Sequence, residues 1–157
     1  NEAAVIVETA TPPVATGFGT QAPARILVID DSNTIRRSAE IFLKQGGCEV
    51  VLAEDGFDAL AKVSDHRPDL IFCDILMPRL DGYQTCAIIK RNARFAGVPV
   101  IMLSSKDGLF DKARGRMVGS EDYLTKPFTK EQLLRAVEQF GGVGGGAATA
   151  DARTAAA

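Results

Sequence analysis

Short apolar runs alternate along this chain with longer segments in which apolar residues recur every three or four positions. The runs are typical of strands buried on both faces, because polar residues do not alternate with the apolar ones. The longer segments are typical of amphipathic helices that cover a sheet. We predict strands at residues 25–29, 49–53, 69–73, 98–103 and 122–125.

Local signals predict where several helices begin and end. Ser32 is a plausible N-cap for a first helix that ends near Gly46. A third helix is predicted from about Gly82 to Arg94, and Thr129 with Gln132 has capping-box spacing for the last one.

The fourth helix has the weakest pattern. Its apolar face is predicted to consist of Leu109, Phe110, Ala113 and Met117. Gly115 lies in its interior, where glycine costs roughly 1 kcal/mol relative to alanine, so we expect this helix to be the softest of the set.

Five strand–helix units predict an α/β fold, a three-layer, doubly wound, five-stranded parallel sheet. Right-handed crossovers place the carboxyl ends of all strands at one edge, where such folds bind ligands. We expect one domain at 24–140, between a flexible leader at 1–23 and a flexible Gly/Ala-rich tail at 141–157.

Composition narrows the class of protein. The 157 residues are 46% hydrophobic and 24% charged, with a formal net charge of −2. We expect no nucleic-acid partner, because a concentrated basic run is lacking, and no membrane insertion, because no apolar stretch approaches about 18 residues. The first ten residues do not resemble a secretory signal.

Cys48, Cys73 and Cys86 show no CxxC spacing, which favours buried thiols in a reducing cytoplasm.

Polar side chains follow four of the predicted strands. They are Asp30 and Asp31 after the first, Asp74 after the third, Ser104 after the fourth and Lys126 after the fifth. Singly these residues could be helix caps, turn residues or solvated charges. Together they should converge at the sheet edge, and three carboxylates in one place repel one another unless a cation is present.

Mg²⁺ prefers oxygen ligands and is usually bound by one or two carboxylates together with a phosphate group. We expect Asp31 and Asp74 to bind the ion directly and Asp30 to act largely through water, while the backbone carbonyl of Leu76 could be a third protein ligand. The free oxygen of Asp74 could then attack a phosphoryl group. Lys126 and Ser104 would hold the phosphoryl oxygens.

The motifs VIDDS, LIFCDILMPRLDG, VIMLSS and YLTKPF closely resemble those of the response regulator receiver domain, over residues 25–140. Four further stretches are similar to the single-domain, chemotaxis-Y-like regulators of type IV pilus twitching motility. They are DDSNTIRRSAE, DGFDALAK, MPRLDGYQTCAIIK and PVIMLSSKDGLFDKARGRMVGS.

The resemblance implies a flavodoxin-like strand order, 2-1-3-4-5. It implies that Asp74 accepts a phosphoryl group from a phosphohistidine of a sensor or chemotaxis-type histidine kinase, with Asp30 and Asp31 in the Mg²⁺ pocket. It also implies that Ser104 and Tyr123 form a switch pair and that the Lys126–Pro127 peptide is cis. The chain would be a phosphoacceptor switch that catalyses only its own phosphorylation and dephosphorylation.

Signal lifetime is one open point. Many chemotaxis regulators carry a polar side chain two residues after the acceptor, whereas this chain has Leu76 there and Lys106 two residues beyond Ser104. Both positions should flank the attacking water, so we expect slow autodephosphorylation.

Two rival functions use the same residues. A Mg²⁺-dependent phosphohydrolase with an aspartyl nucleophile would need an acid two positions after Asp74, where Leu76 stands. A transcription factor would need a reader module, but only 17 residues follow Phe140. We therefore expect output by contact with a protein effector of the pilus machinery, through the fourth helix, the fifth helix and the fifth strand.

Three remaining features carry weaker hypotheses. GVGGGA at 142–147 matches a dinucleotide pattern without the strand and helix that should flank it. His66, the single histidine, reads best as a surface residue. A basic group around the fourth helix is either a solvated face or a docking surface for an acidic partner; it consists of Lys106, Lys112, Arg114 and Arg116.

Overall fold

The computed structural model describes residues 22–105 and 110–141. The strands β1 to β5 span Arg25–Ile29, Glu49–Ala53, Leu70–Asp74, Val100–Ser105 and Asp122–Lys126. The helices α1 to α5 span Asn33–Gln45, Gly56–His66, Gly82–Arg91, Lys112–Val118 and Lys130–Phe140. The predicted leader and tail lie almost wholly outside the described residues, and so does the 142–147 glycine motif.

The five strands form one parallel sheet in the order β2-β1-β3-β4-β5. The predicted fold class and strand order are therefore confirmed. The register pairs Asp74 with Leu103, and Ser104 with Thr125, so the carboxyl ends of β3, β4 and β5 lie side by side. Among the described residues, none of the helices is both long and apolar enough to cross a membrane.

The sheet is buried on both faces, as its continuous apolar strands predict. Alternate strand residues contribute to two separate cores, and β3 is buried at every position. One core packs against α2 and α3 and includes Leu27, Ile71, Met102, Val63 and Ile89. The other packs against α1 and α5 and includes Ile26, Phe72, Leu103, Leu43 and Leu133.

The predicted helix signals behave as expected at two ends. The Ser32 hydroxyl accepts a hydrogen bond from the Ile35 amide at 3.3 Å and caps α1. Thr129 and Gln132 form the reciprocal capping box of α5. Helix α3 is three residues shorter than predicted, because Asn92 leaves the helical conformation.

The prediction for the fourth helix was wrong in its apolar face. Phe110 lies before the helix, whose N-cap is Asp111, and Met117 is 86% exposed. Leu109 lies outside the described residues. Gly115 is the buried residue of α4. It packs so closely on Phe110 that a Cβ at this position would lie 2.5 Å from the Phe110 ring. The glycine therefore permits close packing of α4 on Phe110.

Candidate functional site

Three carboxylates converge at the carboxyl edge of the sheet. Asp30 follows β1 directly, Asp31 is next to it, and Asp74 is the last residue of β3. One oxygen from each lies within 4.8 Å of the others. Asp30 is fully buried and Asp74 is 2% exposed, whereas Asp31 is exposed to solvent. The side chains thus form a short acidic cleft that opens at Asp31.

Lys126, the last residue of β5, brings a cation to this cleft. Its ammonium donates hydrogen bonds to Asp74 Oδ1 at 2.9 Å and to Asp30 Oδ2 at 3.1 Å. The peptide bond from Lys126 to Pro127 is cis. One ammonium group therefore serves two buried carboxylates that come from different strands.

Burial controls the electrostatics of the cleft. It raises the pKa of Asp74 to about 6, a shift that the Lys126 hydrogen bond opposes and the charge of Asp30 increases. Burial also raises the pKa of Asp30, against the Ser32 amide and Lys126. For Lys126, burial acts to lower the pKa, but the two carboxylates outweigh it and raise the pKa above its ordinary value. One ammonium group, that of Lys126, therefore cannot neutralise the negative charge of all three carboxylates.

The donor set fits a hard divalent cation. Carboxylate oxygens are ligands that Mg²⁺ prefers, and the ion would stabilise the charged form of Asp74, which burial and the charge of Asp30 disfavour. Asp30 already uses one oxygen to accept from the Ser32 amide, at 2.8 Å, and the other to accept from Lys126. This favours water-mediated binding by Asp30 and direct binding by Asp31 and Asp74.

Ser104, on β4, directly follows Leu103, which pairs with Asp74, whereas Tyr123 lies near the start of β5 and pairs with Met102. Ser104 is buried, and its hydroxyl donates to the Ser105 carbonyl over a long 3.4 Å. Tyr123 is half-buried, and its ring stacks on Phe110 with centroids 4.4 Å apart. Phe110 stacks in turn on Tyr83, at 6.1 Å, and the Tyr83 hydroxyl accepts from the Asp111 amide. The rings link α3, the start of α4 and β5.

The backbone around Asp74 is held closely. The amide of Ile75 donates to the Leu103 carbonyl at 3.2 Å, and its own carbonyl accepts from Gly82 at 2.8 Å. A Cβ at Gly82 would collide with the Asp74 carbonyl oxygen, so only glycine allows α3 to begin here. The side chain of Leu76, two residues after Asp74, is 67% exposed.

Sequence reasoning missed two arginines near the site. Arg36, in the first turn of α1, donates to the Asp30 carbonyl at 2.6 Å, and its position six residues after Asp30 could have suggested this contact. Arg79, in the loop after β3, pairs with Asp55 at 2.8 Å. Nothing in the local sequence predicts that second pairing, because the partners lie 24 residues apart on different loops.

The other residues that the sequence analysis singled out lie away from the cleft or outside the described residues. His66 is exposed at the end of α2, as predicted. Cys48, Cys73 and Cys86 are free thiols, and the last two are buried. Lys106 lies outside the described residues.

Comparison with known proteins gives one consistent family. Residues 26–138 match the family described as the response regulator receiver domain. The chain is 68% identical over 114 residues to protein PilG of Pseudomonas aeruginosa, an alignment that covers 73% of this chain and 84% of PilG. It spans about half of some other relatives, such as the response regulator MprA of a Mycobacterium species (40% identical, 48% of that protein covered).

Solved structures agree with this result. The chemotaxis protein CheY4 of Vibrio cholerae has a TM-score of 0.72 and 34% identity, covering 76% of this chain and 99% of that one. The receiver domain of the sensor histidine kinase PA1611 from Pseudomonas aeruginosa has a TM-score of 0.70 and 30% identity, covering 77% and 99%, and holds a magnesium ion in its active-site cleft. With its sheet order, its acidic cleft and its matching motifs, this chain belongs to the response regulator receiver domain family.

Proposed function

We propose that Asp74 accepts a phosphoryl group from a phosphohistidine of a sensor or chemotaxis-type histidine kinase, and that the phosphorylated protein signals by contact with an effector protein. The observation that carries this proposal is the setting of Asp74. Its carboxylate ends a fully buried strand, contacts Lys126 at 2.9 Å and lies within 4.8 Å of two further acids. A buried acid with a raised pKa, in a cleft with two further acids, is typical of a functional site.

The reaction is a phosphoryl transfer between side chains. The free carboxylate oxygen of Asp74 forms a bond to phosphorus, and the phosphorus–nitrogen bond of the phosphohistidine breaks. The electron pair returns to the imidazole, which takes up a proton from solvent. Lys126 and the Ser104 hydroxyl hold the phosphoryl oxygens as charge shifts between donor and acceptor. A Mg²⁺ ion held by Asp31, Asp74 and the Leu76 carbonyl, with Asp30 through water, would supply charge neutralisation.

The switch follows from the charge that arrives. A phosphoryl group brings up to about two negative charges and new hydrogen-bond acceptors. The buried Ser104 hydroxyl has only a long hydrogen bond to lose, so it moves toward the phosphoryl oxygens. Tyr123 then rotates into the vacated space and leaves its stack on Phe110, which adjoins α4. Residues of α4, β5 and α5 form the surface that the effector reads.

The pathway proposal rests on the likeness to PilG. We place the protein in the cytoplasm, in a chemosensory pathway that controls type IV pilus twitching motility, with a chemotaxis-type kinase as phosphodonor and a pilus-machinery protein as effector. The exposed, apolar side chain of Leu76, two residues after Asp74, supports a long-lived phosphoryl group. The same side chain disfavours a phosphohydrolase, which would need an acid at that position.

Acetyl phosphate with Mg²⁺ tests the central assignment. The wild-type chain should gain one phosphoryl group, seen by intact-mass spectrometry, and Asp74→Asn should gain none. Beryllofluoride should shift the amide resonances of Ser104 and Tyr123 in the wild type only. Equal phosphate incorporation in both proteins would falsify the assignment. Repeated turnover of p-nitrophenyl phosphate would instead favour the phosphohydrolase.

A further inference from the structure

The loop between β3 and α3 contains a strained turn. Arg79 has a positive φ of 69°, and the Leu80 amide donates to the Pro78 carbonyl at 2.7 Å. A positive φ with a hydrogen bond across three residues defines a γ-turn of the rare, strained kind. Such a conformation persists only where its surroundings hold it. This loop follows Asp74 directly and carries Leu76.

Two neighbours on the β2–α2 side hold Arg79. Its guanidinium pairs with Asp55 Oδ2 at 2.8 Å and lies 5.2 Å from the centre of the Phe57 ring. The other oxygen of Asp55 accepts from the Asp58 amide at 2.7 Å and caps α2. Asp55 is thus fixed by its own helix and is a rigid anchor for the arginine.

Leu80 makes a second contact to the same anchor point. A Cβ on Gly56 would lie 2.7 Å from Leu80 Cδ2, which shows how closely the leucine packs on the first turn of α2. Arg79 therefore contacts the N-cap of α2 by charge, and Leu80 packs on the first residue of that helix. The start of α2 is a template for the shape of the turn.

The ion pair is too exposed to be explained by global stability. The Arg79 side chain is 63% exposed and that of Asp55 19%, and pairs of this kind contribute little to the folding of a domain. The ion pair can instead stabilise the conformation of the turn around Arg79. This turn can open locally while the rest of the domain stays folded.

We propose that Arg79 is a positioning residue, clamped by Asp55 and Phe57, which holds the β3–α3 loop in the conformation that Asp74 phosphorylation requires. The role in phosphorylation rests on the proposed function, whereas the clamp itself does not. When the clamp is broken, the turn relaxes, and the backbone from Leu76 to Pro78 is no longer fixed beside the acceptor. Arg79 contacts no reacting atom and acts through the loop.

Two substitutions break the clamp from opposite sides. Arg79→Asn removes the guanidinium but tolerates the left-handed conformation. Asp55→Asn removes the charge but remains a good helix N-cap. Glu49→Gln is the matched control, since it breaks the exposed Arg25–Glu49 pair of 3.0 Å at the amino end of β2, away from the cleft.

The first readout is amide hydrogen exchange in the metal-free full chain. We expect exchange at Leu80 and Gly82 to become about ten-fold faster in both clamp variants and to stay unchanged in Glu49→Gln. The unfolding midpoint should remain close to that of the wild type. The double variant should exchange no faster than Arg79→Asn alone, because that substitution already removes the contacts to both Asp55 and Phe57.

The second readout is Mg²⁺ affinity by calorimetry, followed by the rate of phosphorylation by acetyl phosphate. We expect about ten-fold weaker Mg²⁺ binding, the lower end for loss of a residue that orients a metal ligand. At saturating Mg²⁺ the phosphorylation rate should recover in part.

The outcomes separate the clamp from the proposed function. Unchanged exchange at Leu80 and Gly82, or additive effects in the double variant, overturns the clamp even if Asp74 is phosphorylated. Faster exchange in a chain whose phosphate uptake does not depend on Asp74 supports the clamp and overturns the proposed function.

Discussion

Lys126 contacts the same two carboxylates, those of Asp74 and Asp30, that a phosphoryl group and a cation would also contact. In the described structure it donates to Asp74 and Asp30 together, and both acids are buried. Those contacts neutralise only part of the negative charge, because a third carboxylate, Asp31, lies in the same cleft. At the scale of single residues, the metal-free cleft is an electrostatically unfavourable arrangement at neutral pH.

Acid should therefore stabilise the metal-free protein at this site. The pKa of Asp74 is raised to about 6, above its ordinary 3.8, so folding favours its protonated form. That contribution is complete below the unfolded-state pKa and is lost as the pH rises through about 6. Lowering the pH from about 7.5 to about 5 should add about 1 kcal/mol to the free energy of unfolding. Urea unfolding in the presence of a chelator measures this change.

Asp74→Asn is the control for that measurement, because the amide cannot titrate. Its free energy of unfolding should exceed that of the wild type at neutral pH and should vary less between the two pH values. Identical pH dependence in the two proteins would show that burial does not raise the pKa of Asp74.

Leu76 should lengthen the life of the phosphorylated state. Its exposed side chain offers no hydrogen bond to a water molecule that approaches the acceptor. Leu76→Asn should accelerate loss of the phosphoryl group about five-fold, since one added hydrogen bond of about 1 kcal/mol lowers the barrier by that factor. Phosphate release after removal of acetyl phosphate gives the rate, with Leu76→Ala as the comparison. Equal rates in all three proteins would contradict this role of Leu76.

At the scale of elements, the strands were the most predictable parts of the molecule. Runs such as Leu70–Cys73 carry an unambiguous burial signal, and residues directly after them inherit a predictable place at the sheet edge. This is why Asp30, Asp74 and Lys126 could be brought together from sequence alone. Contacts between loops have no such periodic signal, and so the Arg79–Asp55 pair could not be predicted.

In helix α4, by contrast, the periodic pattern was present but predicted the wrong residue as buried. Met117 fits a helical apolar face by spacing, yet α4 contains only seven residues and buries little of its surface. Its packing depends on Phe110, which precedes the helix and stacks between Tyr83 and Tyr123. A short helix that packs through a preceding ring leaves no usable periodicity.

Gly115→Ala tests this description of α4. Alanine should add about 1 kcal/mol through helix propensity, but its methyl group would lie 2.5 Å from the Phe110 ring and 3.0 Å from Ser120 Oγ. Overpacking of this kind costs typically 1–3 kcal/mol, so we expect a net loss of about 1 kcal/mol in urea unfolding. Ala113→Gly, at an exposed site of the same helix, provides the comparison for propensity alone. A stabilised Gly115→Ala protein would contradict the close contact with Phe110.

At the scale of the whole molecule, cation binding should stabilise the entire fold. Asp30 and Asp31 follow β1, Asp74 ends β3, and unfolding separates them, so Mg²⁺ would bind the native state preferentially. At a concentration one hundred times its dissociation constant, the gain should be about 2.7 kcal/mol. Thermal unfolding at increasing Mg²⁺ concentration measures it, and Asp31→Asn should reduce the response. A midpoint that does not depend on Mg²⁺ would contradict the metal assignment.

The sheet also divides the interior into two compartments that share no side chain. Met102 belongs to the core beneath α2 and α3, Leu103 belongs to the core beneath α1 and α5, and strand alternation places Ser104 on the same side as Met102. Tyr123 packs on that side too. Rearrangement of the pair would therefore disturb one compartment and leave the other intact. The proposed phosphorylation of Asp74 would therefore alter the packing beneath α2 and α3 and not that beneath α1 and α5.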